Sequence, residues 1–175
     1  MIPLSIIKER ELILKEGEQY MFKTAPIDPY DAFRGRYISL RLKEDRIPLS
    51  PAALKLGMNK NIYVQFKKDP DGFAKISQVS TQRPNTDNYV KAVTGYMNRK
   101  ELMINFPFQR YYMEENKAQR AEKIYHISSS RTKKNEKPAY IIVKVRKGQA
   151  VIEGLYVDGV KIEELAKKES NKTTK

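Results

Sequence analysis

Tyr140-Ile-Ile-Val-Lys-Val-Arg-Lys147, Gly148, Ala150-Val-Ile-Glu-Gly-Leu-Tyr-Val157, Asp158-Gly159 and Val160-Lys-Ile-Glu-Glu164 form the stretch that sets the fold class. β-branched and aromatic residues fill three short runs, and glycine punctuates the two gaps between them. This spacing predicts three strands joined by two tight turns, an antiparallel meander.

The same grammar recurs upstream. Asn61–Lys67 and Phe73–Ser80 flank Asp69-Pro70-Asp71-Gly72, a turn sequence, so the pair reads as a hairpin. Tyr20, Phe22 and Thr24 alternate with Met21, Lys23 and Ala25, a period of two with the aromatics on one face. Gly35–Lys43 reads as a strand with Ile38, Leu40 and Leu42 as its core face and Tyr37, Ser39 and Arg41 opposite. Tyr89–Gly95 and Leu102–Phe108 read as two more strands. Residues 26–34 and 44–60 read as connections, the second with a helical turn over Pro51–Leu56 started by Ser50-Pro51.

One long helix interrupts the strands. Ala118, Ala121, Ile124 and Tyr125 recur at three- and four-residue spacing among charged residues, which predicts a helix near residues 114–127. The fold class is therefore β-rich α+β: a mainly antiparallel sheet, barrel-like or a sandwich, with that one main helix. Residues 17–166 read as a single domain and 167–175 as a disordered basic tail. Residues 1–16 turn abruptly from the apolar Pro3-Leu4-Ser5-Ile6-Ile7 to Lys8-Glu-Arg-Glu11 and read as a short stub.

Composition excludes several chemistries. The 175 residues contain no cysteine and one histidine, His126. A disulfide framework, a thiolate metal site, a Cys nucleophile and a multi-histidine metal site are all ruled out. No glycine-rich phosphate loop or Gly-x-Ser-x-Gly elbow is present. The formal net charge is +13. The excess is diffuse, with its densest clusters at Arg131, Lys133, Lys134 and Lys137 and in the tail from Lys167. A basic surface draws anionic partners; lipid headgroups, a wall polymer and nucleic acid all qualify. No cofactor is implied, and the reading leans against catalysis.

The densest polar run is Asp28-Pro29-Tyr30-Asp31-Ala32-Phe33-Arg34-Gly35-Arg36-Tyr37-Ile38-Ser39-Leu40. Asp28 and Asp31 could share a proton or hold a cation, and Arg34 could grip an anion bidentately. Equally, aspartates in Asp-Pro turns cap backbone N–H groups. Tyr37 could line a groove or sit half-buried on the sheet. Arg110, Tyr111 and Glu115 lie where a strand gives way to the helix, and Glu115 there suits the helix dipole without any further role. Asp28, Asp31, Arg34, Tyr37, Arg110, Tyr111 and Glu115 are the candidate binding cluster.

These residues also carry a likeness. The run from Asp28 resembles the signature of the GDYXXLXY family, bacterial proteins of unknown function, in which D-P-x-D-P-F-R-G leads into G-D-Y-x-x-L-x-Y. Asp28, Pro29, Asp31, Phe33, Arg34, Gly35, Tyr37 and Leu40 match; Ala32, Arg36 and Leu42 stand where the family has Pro, Asp and Tyr. Arg110-Tyr111-Tyr112-Met113-Glu114-Glu115 resembles the family's R-Y-[YF]-V-P-E stretch, and Gln149–Gly159 its C-terminal strand pair. The resemblance implies a domain on the extracytoplasmic side of the membrane, tethered by an anchor preceding Pro3-Leu4, with an integral membrane protein as partner. The function expected is an accessory or interaction domain of the cell envelope. Two alternatives stand beside it: a nucleic-acid-binding OB-like barrel, which ranks well behind, and an envelope-polymer hydrolase using Asp31 and Glu115.

Overall fold

A computed structural model describes residues 4–25, 37–113, 121, 124 and 139–172. Among them are three helices, α1 (Leu4–Glu16), α2 (Pro51–Leu56) and α3 (Ile162–Lys172). The strands are β1 (Glu18–Ala25), β2 (Tyr37–Ser39), β3 (Arg41–Leu42), β4 (Arg46–Pro48), β5 (Asn61–Lys68) and β6 (Ala74–Ser80), followed by β7 (Val90–Met97), β8 (Glu101–Asn105), β9 (Arg110–Tyr112), β10 (Tyr140–Arg146), β11 (Gln149–Val157) and β12 (Val160–Lys161). Two five-stranded sheets, ordered β12-β11-β10-β1-β3 and β4-β8-β7-β5-β6, accompany the two-stranded ribbon β2-β9. The protein is β-rich and antiparallel, as its sequence predicts. It divides into two compact units, and the chain passes from one to the other within β1, β10 and β11.

The first unit comprises Met1–Met21, Glu44–Phe108 and Val143–Glu153. Its centre is the β5–β6 hairpin, where Ile62, Val64 and Phe66 alternate into the core. Asp69 builds the turn: its Oδ1 accepts from the N–H groups of Asp71 (3.0 Å) and Phe73 (2.8 Å). β5 also pairs with β7, β7 with β8, and β8 with β4. Two parallel bridges, Met21 with Phe73 and Val90 with Gly148, tie the β1 and β10–β11 segments to this sheet and make it nearly closed and barrel-like. An aromatic chain fills it. The rings of Tyr20 and Phe66 lie 5.5 Å apart, Phe66 and Phe106 5.7 Å, and Phe106 stacks on Phe108 at 5.1 Å. Ser50 caps α2 by accepting from the Ala53 N–H at 3.1 Å, with Pro51 opening the helix as expected.

The second unit comprises Phe22–Lys43, Gln109–Ile142 and Gly154–Lys175. Phe22, Ile38, Leu42, Ile141, Leu155 and Ile162 are its fully buried large side chains. Thr24 joins β1 to the start of β10 by donating both its N–H (2.9 Å) and its hydroxyl (3.0 Å) to the Ala139 carbonyl. Two-residue turns close both hairpins of the C-terminal meander. Lys147-Gly148 and Asp158-Gly159 all have positive φ, the backbone that a right-twisted hairpin of this length requires.

The structure departs from expectation at the C-terminus. The last strand is two residues long, and Ile162 starts a helix that continues through Lys172, into the segment read as a tail. Ile162, Leu165 and Ala166 have helical spacing, Ile162 and Ala166 are buried, and Glu163 and Glu164 occupy the first turn, where the dipole favours them. Of the strand expected over Gly35–Lys43, the described residues are divided at Leu40 into β2 and β3, and the sequence pattern does not reveal β4 and β9, three residues each. Of the helix expected near residues 114–127, only Ala121 and Ile124 are described; both are helical, and Ala121 is fully buried.

Candidate functional site

β2 and β9 pair antiparallel with Tyr37 opposite Tyr112, Ile38 opposite Tyr111 and Ser39 opposite Arg110. Alternation gives this ribbon two unlike faces. Ile38 and Tyr111 point into the core of the second unit. Tyr37, Ser39, Arg110 and Tyr112 occupy the other face, where Tyr112 is 63% exposed. There the Arg110 guanidinium carbon lies 5.0 Å from the centre of the Tyr37 ring. The Tyr37 and Tyr112 rings lie 5.5 Å apart and are inclined at 53°. The alternation continues past Leu40, whose N–H donates to the Gln109 carbonyl at 2.8 Å, so that exposed Arg41 and Lys43 follow on the outward side of buried Leu40 and Leu42.

On the inner face, the Tyr111 phenol donates to Glu163 Oε1 in the first turn of α3. Tyr111 is 7% exposed. Burial pushes the phenol well above the ordinary tyrosine value, and the hydrogen bond to Glu163 pushes it further. The second carboxylate oxygen, Oε2, is buried without a hydrogen-bond partner among the described residues.

The structure thus brings two of the candidate residues together, Tyr37 and Arg110, and turns Tyr111 to the opposite face. Asp28, Asp31, Arg34 and Glu115 lie outside the described residues, as do His126 and the basic cluster from Arg131 to Lys137. Two participants escaped the sequence reading. Tyr112 was legible as the alternate neighbour of Tyr111 once β9 is drawn. Glu163 was hidden because its segment scanned as a strand. Among the described residues, no three His, Cys, Asp or Glu side chains gather in metal-binding geometry.

The three blocks that carry the family likeness therefore map onto one ribbon and one meander: the first leads into β2, the second is β9, and the third is β11 with its turn. The sequence model of the GDYXXLXY protein matches residues 1–155. The chain belongs to the GDYXXLXY family. The match takes in the Tyr37–Arg110–Tyr112 face of this GDYXXLXY protein and ends within β11, before Glu163 and α3. No curated protein and no solved structure matches the chain.

Proposed function

We propose that this GDYXXLXY protein is a membrane-anchored, extracytoplasmic accessory domain of the bacterial cell envelope, acting by binding and partnered by an integral membrane protein. The observation that carries this reading is at α1. Its first turns leave Ile6 and Ile7 44% and 45% exposed, next to Lys8 and Arg10. Exposed isoleucines beside cations suit the boundary between headgroups and water. Burying what the two side chains still expose is worth about 1–3 kcal/mol in all, enough to orient a domain at a membrane and too little to hold it there. The anchor in this reading is a spanning helix upstream of Leu4. No helix among the described residues is long and apolar enough to cross a membrane.

The test uses the native gene product in its own bacterium. Fractionation with an alkaline carbonate wash is expected to leave the protein in the membrane pellet, and protease added outside the cytoplasmic membrane is expected to digest it. Purification from solubilised membranes is expected to bring an integral membrane protein along. Recovery as a monomer from the cytosol would overturn the reading.

A further inference from the structure

We infer that the outward strip formed by Tyr112, Tyr37, Arg110, Ser39, Arg41 and Lys43 is a binding surface for an anionic polysaccharide, one whose sugars carry carboxylate or phosphate groups. All six residues belong to the second unit. From Tyr37 to Lys43 the strip runs about 20 Å at the usual strand rise.

Charge is the first argument. The strip offers three cations, Arg41, Lys43 and Arg110, and β2, β3 and β9 contain no acidic residue. None of the three cations has an ion-pair partner among the described residues, whereas Arg46, Lys68, Lys75, Lys144, Arg146 and Lys147 are each paired with a carboxylate. Arg41 and Lys43, two residues apart, and Arg110 on β9, all without an ion-pair partner among the described residues, suit a polymer that carries charge along its length.

The aromatic end supplies the second argument. The Arg110 guanidinium carbon lies 5.0 Å from the centre of the Tyr37 ring, a cation–π contact that favours this position for a group able to offer N–H donors to a carboxylate or phosphate. Tyr112 presents an open ring to the apolar face of a sugar, and the hydroxyls of Tyr37, Ser39 and Tyr112 can exchange hydrogen bonds with a polyol.

The same arrangement distinguishes a glycan from a nucleic acid. Single-strand sites set successive platforms along the backbone so that consecutive bases stack. Here the two rings sit side by side at one end, inclined at 53°, and the cations follow without further aromatics. The choice of an envelope glycan also rests on the extracytoplasmic reading above.

The purified chain is titrated with fluorescent polygalacturonate and phosphomannan oligomers over a salt series. Neutral dextran of matched length and oligodeoxythymidylate of matched charge are the comparisons. At least one anionic glycan is expected to bind, with affinity falling as salt rises, and dextran is not. The R41Q/K43Q/R110Q variant is expected to bind about tenfold or more weakly and to show a shallower salt dependence. Y112A is expected to weaken binding without changing that slope. The K55Q/K67Q/K91Q variant removes the same charge from exposed positions of the first unit and is expected to bind like the unaltered protein. Thermal unfolding of each variant separates lost binding from lost structure.

Three results overturn the inference. In the first, neither anionic glycan binds. In the second, the two triple variants behave alike, so that net charge alone acts. In the third, the oligodeoxythymidylate binds more tightly than both glycans at equal salt. Glycan binding by a protein found in the cytosol would leave the strip standing and overturn only the location.

Discussion

The Tyr111 phenol donates to the Glu163 carboxylate, joining β9 to the first turn of α3 across 52 residues of sequence. Beside this bond Glu163 Oε2 is buried with no partner among the described residues. Tyr111 is the hydroxyl that meets this carboxylate among the described residues, and it stands back to back with the exposed Arg110 and Tyr112 on the same three-residue strand. One short ribbon both positions the outward strip and fastens the C-terminal helix.

Removing the phenol oxygen should be costly. Tyr111→Phe leaves the Glu163 carboxylate with neither oxygen bonded among the described residues, Oε2 being buried, and an orphaned buried acceptor costs about 1–3 kcal/mol, more when charged. Glu163→Gln keeps an acceptor for the phenol and should cost less. The double variant Y111F/E163L removes both polar partners and should recover most of the loss. Urea unfolding midpoints measure all three; a wild-type midpoint for Y111F would mean that water already serves this carboxylate.

The pH dependence follows from the same bond. Tyr111 is held above the ordinary value by burial and then by Glu163, and Tyr20 is raised by burial and then by Glu18. In the folded state both phenols hold their protons more tightly than in the unfolded chain, whose tyrosines ionise near pH 10. Their contribution is thus complete below about pH 10 and is lost as pH rises further, because the unfolded chain releases its protons first. Unfolding free energies measured from about pH 8 to 11 should fall along an alkaline limb. Y111F and Y20F should each flatten it, and an unchanged limb in both variants would refute the assignment.

How much of this was legible depends on the range of the signal. The β5–β6 hairpin and the C-terminal meander were legible because turn residues and period-two alternation are local. Ile38, Leu40 and Leu42 read as a core face for the same reason, and all three are buried. β4 was not legible: it has three residues, ends on Pro48, and exists because Ile47 pairs with Leu102. α3 was misread because Val160-Lys161-Ile162 continues the strand pattern, and only the helical spacing of Ile162 with Leu165 and Ala166 reveals the change. At the candidate site, the alternation of Tyr37, Ser39 and Arg41 was visible, whereas the contact of Arg110 with the Tyr37 ring depends on a pairing between strands about seventy residues apart. No local pattern encodes such a register.

The two primed turns offer a graded backbone test. Gly148 and Gly159 have nearly the same positive φ, 85° and 79°. A Cβ on Gly159 meets nothing within 4 Å, while one on Gly148 falls 2.8 Å from the Tyr89 ring and 3.0 Å from Lys91 Cγ. Gly159→Ala should therefore cost only the left-handed backbone, about 1 kcal/mol. Gly148→Ala adds a clash with a buried ring and disturbs the Val90–Gly148 bridge, and should cost clearly more. Thermal unfolding of the two variants side by side decides it; equal losses would show that Tyr89 gives way freely.

The turn at Asp69 allows a local test. Its side chain serves the Asp71 and Phe73 N–H groups, its own N–H donates to the Phe73 carbonyl at 2.8 Å, and Phe73 carries the bridge to Met21. Asp69→Ala removes the acceptor for both amides, a loss of about 1–2 kcal/mol because water reaches one of them. Asp69→Asn keeps a carbonyl oxygen in the same place and should lose much less. Hydrogen exchange should show where the loss falls. The Phe73 amide and the β6 amides nearest the turn should exchange faster in D69A, while β7 and β8 keep their protection. Uniformly faster exchange across the first unit would mean that the turn and the barrel-like sheet open together, and that the Met21–Phe73 bridge is part of a single cooperative structure.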